Sequence, residues 1–388
     1  MSDREDMIKT LTDLNVLNQK AKYLKTGITL LDMFVAGKNE VSDDIGFLAG
    51  KFYSFTGPNG IGKSSLCMEI SKRFCSQGMK GIYCDFENGL NEKSLKDYGL
   101  WKYCAYDVDN PRKAIEAFLK GDKNFLPINP ITFNTTAQIW YTMLEKVSIK
   151  IDFGIIDSLK MMQASFVEDN IKTGLEQLPL GINARSQENF LPFMKNLFTK
   201  YEVVGLYVNQ YRTKIDRYGG RLAEPQNQAF LYNMDSRMTM DKLYKGEIKM
   251  KVETGYNEKV DKVIGNWLEM ELVKSRVGNS HSTIRLPIIF GKGISVIYQY
   301  ADTLLNNGLY TEPARIDSAT DLTKLKKELS TIGDASKVPD KVSCGMDGIY
   351  EMLRIKENFD LIEKYVYNKG LLYIEKTDTP VLKEEAED

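Results

Sequence analysis

The stretch Gly57-Pro58-Asn59-Gly60-Ile61-Gly62-Lys63-Ser64-Ser65 decides the fold of this chain. It fits the pattern G-x-x-x-x-G-K-[ST] at every fixed position, and its flanks agree with it. Upstream, Phe52-Tyr53-Ser54-Phe55 reads as a short apolar strand. Downstream, Lys63 to Gln77 reads as a helix with Leu66, Ile70 and Phe74 on one face and Gly78 as its stop. Glycines let the backbone curl so that its N–H groups point inward at phosphate oxygens. The helix N-terminus adds a partial positive charge. Lys63 is placed to neutralise the β- and γ-phosphates, Ser64 to hold Mg²⁺, and the whole run from Gly57 to Ser65 to surround the nucleotide. The stretch implies binding of a nucleoside triphosphate and leaves the reaction open.

Working outward, three further strand ends carry polar groups. Ile155-Ile156-Asp157-Ser158 is an apolar strand ending in an acid, at the carboxyl edge where ligands of parallel sheets bind, so Asp157 is the expected Mg²⁺-associated carboxylate. Gly81 to Phe86 reads as another strand and ends in Asp85-Phe86-Glu87; Asp85 or Glu87 can orient or deprotonate water. Val208-Asn209-Gln210-Tyr211-Arg212 ends a third strand, and Gln210 is suited to sense a γ-phosphate by hydrogen bonding. The segment after it, Thr213 to Gln228, is expected to be a polar, flexible loop. Its cations Lys214, Arg217 and Arg221 suit it to grip a phosphate backbone.

Strands alternate with helical stretches at 135–147 and 183–200, the latter with Pro192 as a kink. The pattern predicts an α/β fold with a mostly parallel sheet covered on both faces. After Ser236 the runs at 236–256 and 266–298 predict antiparallel strands that extend the same sheet. Four parts are expected: an N-terminal helical element over 1–25, a core over 26–300, a small C-terminal domain over 301–380 and an acidic tail over 381–388. The first carries an apolar stripe of Met7, Leu11, Leu14, Leu17, Ala21 and Leu24. The stripe fits packing on its own domain or docking on a neighbouring subunit as an oligomerisation arm.

Composition removes several other classes. Lysine and arginine total 52 against 53 acids, a net charge of -1, so the chain is not uniformly basic, although a local basic patch is allowed. Five cysteines without a C-x-x-C pair argue against a disulfide framework or zinc site. A single histidine, His281, makes histidine-based triads and multi-histidine metal sites improbable chemistry. The start, Met1-Ser2-Asp3-Arg4-Glu5-Asp6, has no apolar run of the secretory kind. The longest uncharged stretch, Asn124 to Leu144, is too polar for a membrane span. A soluble cytoplasmic protein is expected, in the host cytoplasm if the chain is viral.

The order of these pieces resembles the RecA/UvsX family of DNA strand-exchange ATPases over roughly residues 24–300, and its size and divergence resemble a phage-type member. Thr26-Gly27 and Leu31-Asp32 are similar to the family's signature before the phosphate loop. Asp85-Phe86-Glu87-Asn88-Gly89-Leu90 resembles the segment whose glutamate activates water, which implies Glu87. Asp157-Ser158 resembles the Walker B pair, and Asn209-Gln210-Tyr211-Arg212 the γ-phosphate sensor that opens the second DNA loop. Arg185 falls where the family has a basic residue of the first DNA loop, adding to Arg212, Lys214, Arg217 and Arg221. Leu272-Val273-Lys274-Ser275-Arg276 resembles the segment whose cations, here Lys274 and Arg276, reach the ATP of the adjacent subunit. Phe290-Gly291-Lys292-Gly293-Ile294 is similar to the strand turn that follows. Two positions depart from the pattern. Gln226-Asn227-Gln228 stands where a glycine pair usually re-enters the helix, and Ser94 replaces the tyrosine that stacks on adenine. The resemblance implies an ATP- and Mg²⁺-dependent recombinase that polymerises as a helical filament on single-stranded DNA and pairs it with duplex. Mediator and single-strand-binding proteins would be its partners. A ring helicase or other DNA-stimulated ATPase on the same core, and a P-loop small-molecule kinase, are the alternatives.

Overall fold

A computed structural model describes residues 21–107, 109–130, 132–162, 182–216, 219–223, 228–253, 259–310, 319–343, 346–369 and 375–376. The N-terminal stripe up to Leu17, the acidic tail and Arg217 lie outside the described residues; the stripe's last members, Ala21 and Leu24, are not helical as expected, and Leu24 lies in a strand with Tyr23.

A short ribbon pairs β1 (Tyr23–Leu24) with β2 (Phe47–Leu48). Five parallel strands form the core: β3 (Phe52–Gly57), β4 (Gly81–Asp85), β5 (Phe125–Ile128), β6 (Phe153–Asp157) and β7 (Val204–Gln210), in spatial order β3-β7-β6-β4-β5. Then come β8 (Arg212–Asp216) and β9 (Gly219–Ala223), an antiparallel ribbon of their own. Next, β10 (Ser236–Glu253) runs parallel to β3, and β11 (Lys259–Ser275), β12 (Ser282–Ile289) and β13 (Gly293–Ile294) continue antiparallel. Thr320–Asp321 and Lys341–Val342 (β14, β15) pair together, and Glu375–Lys376 (β16) joins β12. Among the described residues the main sheet thus has ten strands. The helices are α1 (Thr29–Val35), α2 (Lys63–Ser76), α3 (Glu92–Asp97), α4 (Pro111–Lys120), α5 (Phe133–Tyr141), α6 (Ile182–Lys200), α7 (Gln228–Asn233), α8 (Val296–Asn306), α9 (Thr323–Leu329), α10 (Met346–Leu353) and α11 (Lys356–Asn368).

The period-two alternation of the strands sorts their side chains to two faces. Tyr53, Phe55, Tyr83, Ile155 and Leu206 point into one core with Leu66, Ile70 and Phe74 of α2. Phe52, Ile82, Cys84, Ile156 and Tyr207 point into the other, against Trp140 of α5 and Phe190 and Phe198 of α6. Tyr300, Leu325, Ile349 and Val366 of the C-terminal helices share the first core. Among the described residues no helix is long and apolar enough to cross a membrane.

The predicted parallel strands are present, each within about two residues of the expected bounds. Several elements escaped the sequence, three of them for a local reason. In β5 the run Phe125-Leu126-Pro127-Ile128 contains a proline that reads as a breaker. It is tolerated because β5 is the edge strand: β4 lies on one side, and on the other only Phe125 bridges Cys104, which leaves Pro127 clear. The short helices α3 and α4 each begin with an asparagine whose side chain accepts a backbone N–H, at Asn91 and Asn110. The helix expected at 135–147 instead starts at Phe133, where the Thr132 side chain caps it, and ends in a π-helical turn over Thr142–Lys146. The flexible loop expected after Gln210 is corrected to the β8–β9 ribbon. There Thr213, Ile215 and Leu222 supply β-forming residues, and Lys214 lies opposite Arg221.

Candidate functional site

The register of the sheet brings the strand-end groups to one edge. Gly57 pairs with Gln210, and Asp85 with Asp157, so the phosphate loop, both acids and the glutamine lie at the carboxyl ends of adjacent strands. Two glycines shape the loop. Gly62, the N-cap of α2, takes φ +104°, and a Cβ on Gly57 would lie 2.4 Å from the Met240 carbonyl oxygen. The loop opens onto a cavity of about 420 Å³ lined by Asn59, Gly60, Gly62, Lys63, Ser64, Ser65, Glu87, Val208 and Gln210.

Lys63 is buried at the start of α2 and donates to the carbonyls of Gly57 (3.0 Å) and Pro58 (2.6 Å). Burial pushes its pKa down, and Asp157 and Glu87 pull it back in part. Asp157 is buried too, and the Tyr83 hydroxyl donates to its Oδ2 at 2.6 Å. Its Oδ1 is buried without a hydrogen-bond partner among the described residues. Burial raises the carboxyl's pKa, while the Ser64 and Tyr83 hydroxyls hold it down in part. A buried carboxylate oxygen with spare acceptor capacity, beside the Ser64 hydroxyl, fits the oxygen-rich environment that Mg²⁺ takes.

The two acids of the Asp85–Glu87 pair separate clearly. Asp85 is buried and accepts the backbone N–H groups of Glu87 (3.1 Å) and Leu90 (2.8 Å), so it shapes the turn. Glu87 faces the cavity. Its Oε1 accepts from Ser158 Oγ (2.7 Å) and from Gln210 Nε2 (2.6 Å). Lys160 Nζ in turn donates to Gln210 Oε1 at 2.9 Å. Lys160 was not singled out from the sequence, since a lysine in a turn after an apolar strand carries no pattern of its own.

Beside the cavity, and sharing Gly60, Gly62 and Ser65, is a cleft of about 170 Å³ lined also by Tyr98, Trp267, Leu268 and Phe290. The Tyr98 hydroxyl donates to Ser65 Oγ at 2.6 Å. Ser94 does not line this cleft. It exchanges capping hydrogen bonds with Asn91 at the start of α3. The aromatic ring at this edge therefore comes from one helical turn further along the chain, an i,i+4 displacement visible in the sequence once α3 is recognised.

Lys274 and Arg276 are not brought to this edge. Lys274 pairs in register with Arg237, and Arg237 with Ser54, three residues before Gly57. Both cations thus lie toward the amino ends of the parallel strands. Lys274 Nζ donates to the carbonyls of Leu231 (2.6 Å) and Met234 (2.9 Å) at the end of α7. Burial, with Arg276 and Arg237 adding, pushes its pKa down to about 8. Nearby, Lys195 ion-pairs with Asp235, whose Oδ2 also accepts the Phe52 N–H. Of the expected DNA contacts, Arg185 is exposed on α6, Arg212 opens β8, and Lys214 and Arg221 are register partners in the ribbon.

No family model matches the chain. The RecA protein of Phytoplasma mali (strain AT) is 22% identical over 297 residues, covering 75% of this chain and 74% of that protein. The RecA protein of Aquifex pyrophilus is 23% identical over 271 residues (69% and 67%), and that of Thermotoga sp. (strain RQ2) is 23% identical over 340 residues (86% and 81%). Similarity that runs over 69–86% of the chain in these relatives reaches far beyond a phosphate loop, and it makes the chain RecA-like.

Proposed function

We propose that this chain is an ATP-dependent DNA recombinase that forms filaments on single-stranded DNA and promotes homologous pairing and strand exchange. The observation that carries the reading is the connection between Glu87, Gln210 and β8. The glutamine hydrogen-bonded to the candidate base lies two residues before a ribbon that bears Arg212, Lys214 and Arg221. A change at the γ-phosphate therefore has a short covalent path to this ribbon. In this account Lys63 and the backbone of Gly57 to Ser65 bind the triphosphate. Ser64 and Asp157 would hold Mg²⁺, which neutralises charge on the β- and γ-phosphates. Glu87 orients and deprotonates the attacking water. Tyr98 stacks on the base. Lys274 and Arg276 act on the nucleotide of a neighbouring subunit, and Arg185 with the β8–β9 ribbon and Arg217 grips the DNA backbone.

The same proposal assigns residues 1–25 to an oligomerisation arm, 26–300 to the ATPase core, 301–380 to a small C-terminal domain and 381–388 to an acidic tail. Its size and divergence favour a phage-type, cytoplasmic protein that works with mediator and single-strand-binding proteins. The test is ATP turnover with and without single-stranded DNA, followed by negative-stain imaging with a non-hydrolysable ATP analogue. DNA-stimulated turnover and helical filaments are expected. Closed rings would favour the helicase reading, and turnover indifferent to DNA would overturn the proposal.

A further inference from the structure

We propose that Lys160 is a positioning residue: a latch that holds Gln210 against Glu87 until the terminal phosphate of a bound triphosphate draws it away. The role rests on the nucleotide-site reading above and goes beyond it, since Lys160 belongs to neither the phosphate loop nor the strand-end acids.

The hydrogen bonds have a fixed direction. An ammonium only donates, so the oxygen of the Gln210 amide must face Lys160 (2.9 Å). The amide nitrogen must then face Glu87, where it donates to Oε1 at 2.6 Å. Ser158, two residues before Lys160, donates to the same oxygen at 2.7 Å. The turn that carries Lys160 is closed by the Met161 N–H on the Ser158 carbonyl, so both donors come from one rigid step after β6. Lys160 thus selects the amide orientation in which Gln210 occupies the candidate base.

Lys160 is also set to respond to nucleotide. It is exposed and, among the described residues, forms no ion pair; its partner is a neutral amide. It is close enough to the cavity for its charge to bear on Lys63. A phosphate oxygen with full negative charge is a stronger acceptor for an ammonium than an amide carbonyl. A γ-phosphate in the cavity would therefore take Lys160 from Gln210 and leave the amide able to turn. A diphosphate would leave the latch closed. The consequence travels outward, because Tyr211 N–H bonds the Gly57 carbonyl at 3.3 Å and β8 begins at the next residue.

The test is amide hydrogen exchange of residues 211–223 in the full chain, for the wild type, Lys160→Met and Lys160→Arg, with no nucleotide, with ADP and with a non-hydrolysable ATP analogue. Without nucleotide, exchange in Lys160→Met should be about two- to fivefold faster than in the wild type, the scale of one exposed hydrogen bond to a charge, with Lys160→Arg restoring protection. In the wild type the triphosphate analogue should speed exchange relative to ADP, and in Lys160→Met the two nucleotides should give equal rates. A purely structural lysine would not distinguish ADP from the triphosphate. The proposal is overturned if Lys160→Met keeps the wild-type difference between nucleotides, or if the nucleotide-free variants exchange alike. A wild type that binds neither nucleotide would instead sink the nucleotide-site reading, while the nucleotide-free comparison still decides the latch.

Discussion

The two ends of the parallel strands treat charge in opposite ways. At the carboxyl ends, Lys63, Glu87 and Gln210 line a cavity, and one buried carboxylate oxygen of the nearby Asp157 has no protein partner among the described residues. At the amino ends, Lys195, Lys274, Arg276 and Arg237 gather near the carboxylate of Asp235, and Lys274 rests on carbonyls of its own chain. One edge is shaped for a polyanion. The other gathers cations, and burial together with Arg276 and Arg237 lowers the pKa of its lysine. On the proposed reading, an edge that gathers Lys274 and Arg276 among further cations suits an anion brought by another molecule, such as the nucleotide of a second copy. On the same reading, the difference means that the catalytic groups would be divided between two surfaces that one chain does not bring together.

The comparison can be broken most forcefully at the cavity. Lys63→Ala should lower ATP turnover by more than about 10²-fold, because it removes the fixed charge on the β- and γ-phosphates. Near wild-type turnover would remove the phosphate-loop assignment. Glu87→Gln should retain nucleotide binding and cut turnover about 10²-fold, the scale of a lost general base. If Asp85→Asn has the larger effect on turnover at equal stability, the roles given to the two acids are reversed.

At the amino ends the expected effect is smaller and depends on pH. The folded-state pKa of Lys274 is about 8, below the ordinary 10.5. As pH rises through 8 the folded chain loses this proton while the unfolded chain keeps it. The linked stability is therefore absent below pH 8 and is gained between the two pKa values. Activity that needs the ammonium changes in the opposite sense. DNA-stimulated turnover at limiting protein should fall as pH rises above about 8, and Lys274→Arg should flatten that fall, since a guanidinium stays charged. A decline that survives in Lys274→Arg would assign it to another group. Smallest of all, Tyr98→Ala should raise KM for ATP about three- to tenfold with kcat little changed, the scale of one aromatic stacking contact. An unchanged KM would move base recognition to Trp267 or Phe290.

Much of the nucleotide edge was legible because its chemistry is written in contiguous residues. A strand, a glycine loop and a lysine–serine pair need no knowledge of distant contacts. Glu87, Asp157 and Gln210 were legible for a related reason: each ends an apolar strand, and parallel strands end at the same edge. What the sequence hid depends on tertiary partners. Pro127 concealed an edge strand whose outer side is bridged only at Phe125, so the proline displaces no ladder there. Tyr98 was missed because the ring sits one helical turn beyond the position that Ser94 occupies, and α3 carries no strong apolar period. The ribbon after Gln210 read as a loop because its polar composition outweighs its β-forming residues until the two strands pair. Lys160 could not be found at all, since its meaning lies in a hydrogen bond to a residue fifty positions away.

The division of one site between two surfaces is tested most directly by mixing Lys63→Ala chains with Lys274→Ala chains and measuring single-stranded-DNA-stimulated ATP hydrolysis across ratios, with co-assembly verified by imaging. A junction in such a mixture can place an intact nucleotide cavity against an intact cationic edge. The account predicts that the mixture hydrolyses ATP faster than either variant alone, with a maximum near equal proportions. Co-assembled mixtures that are never faster than the better single variant would contradict it.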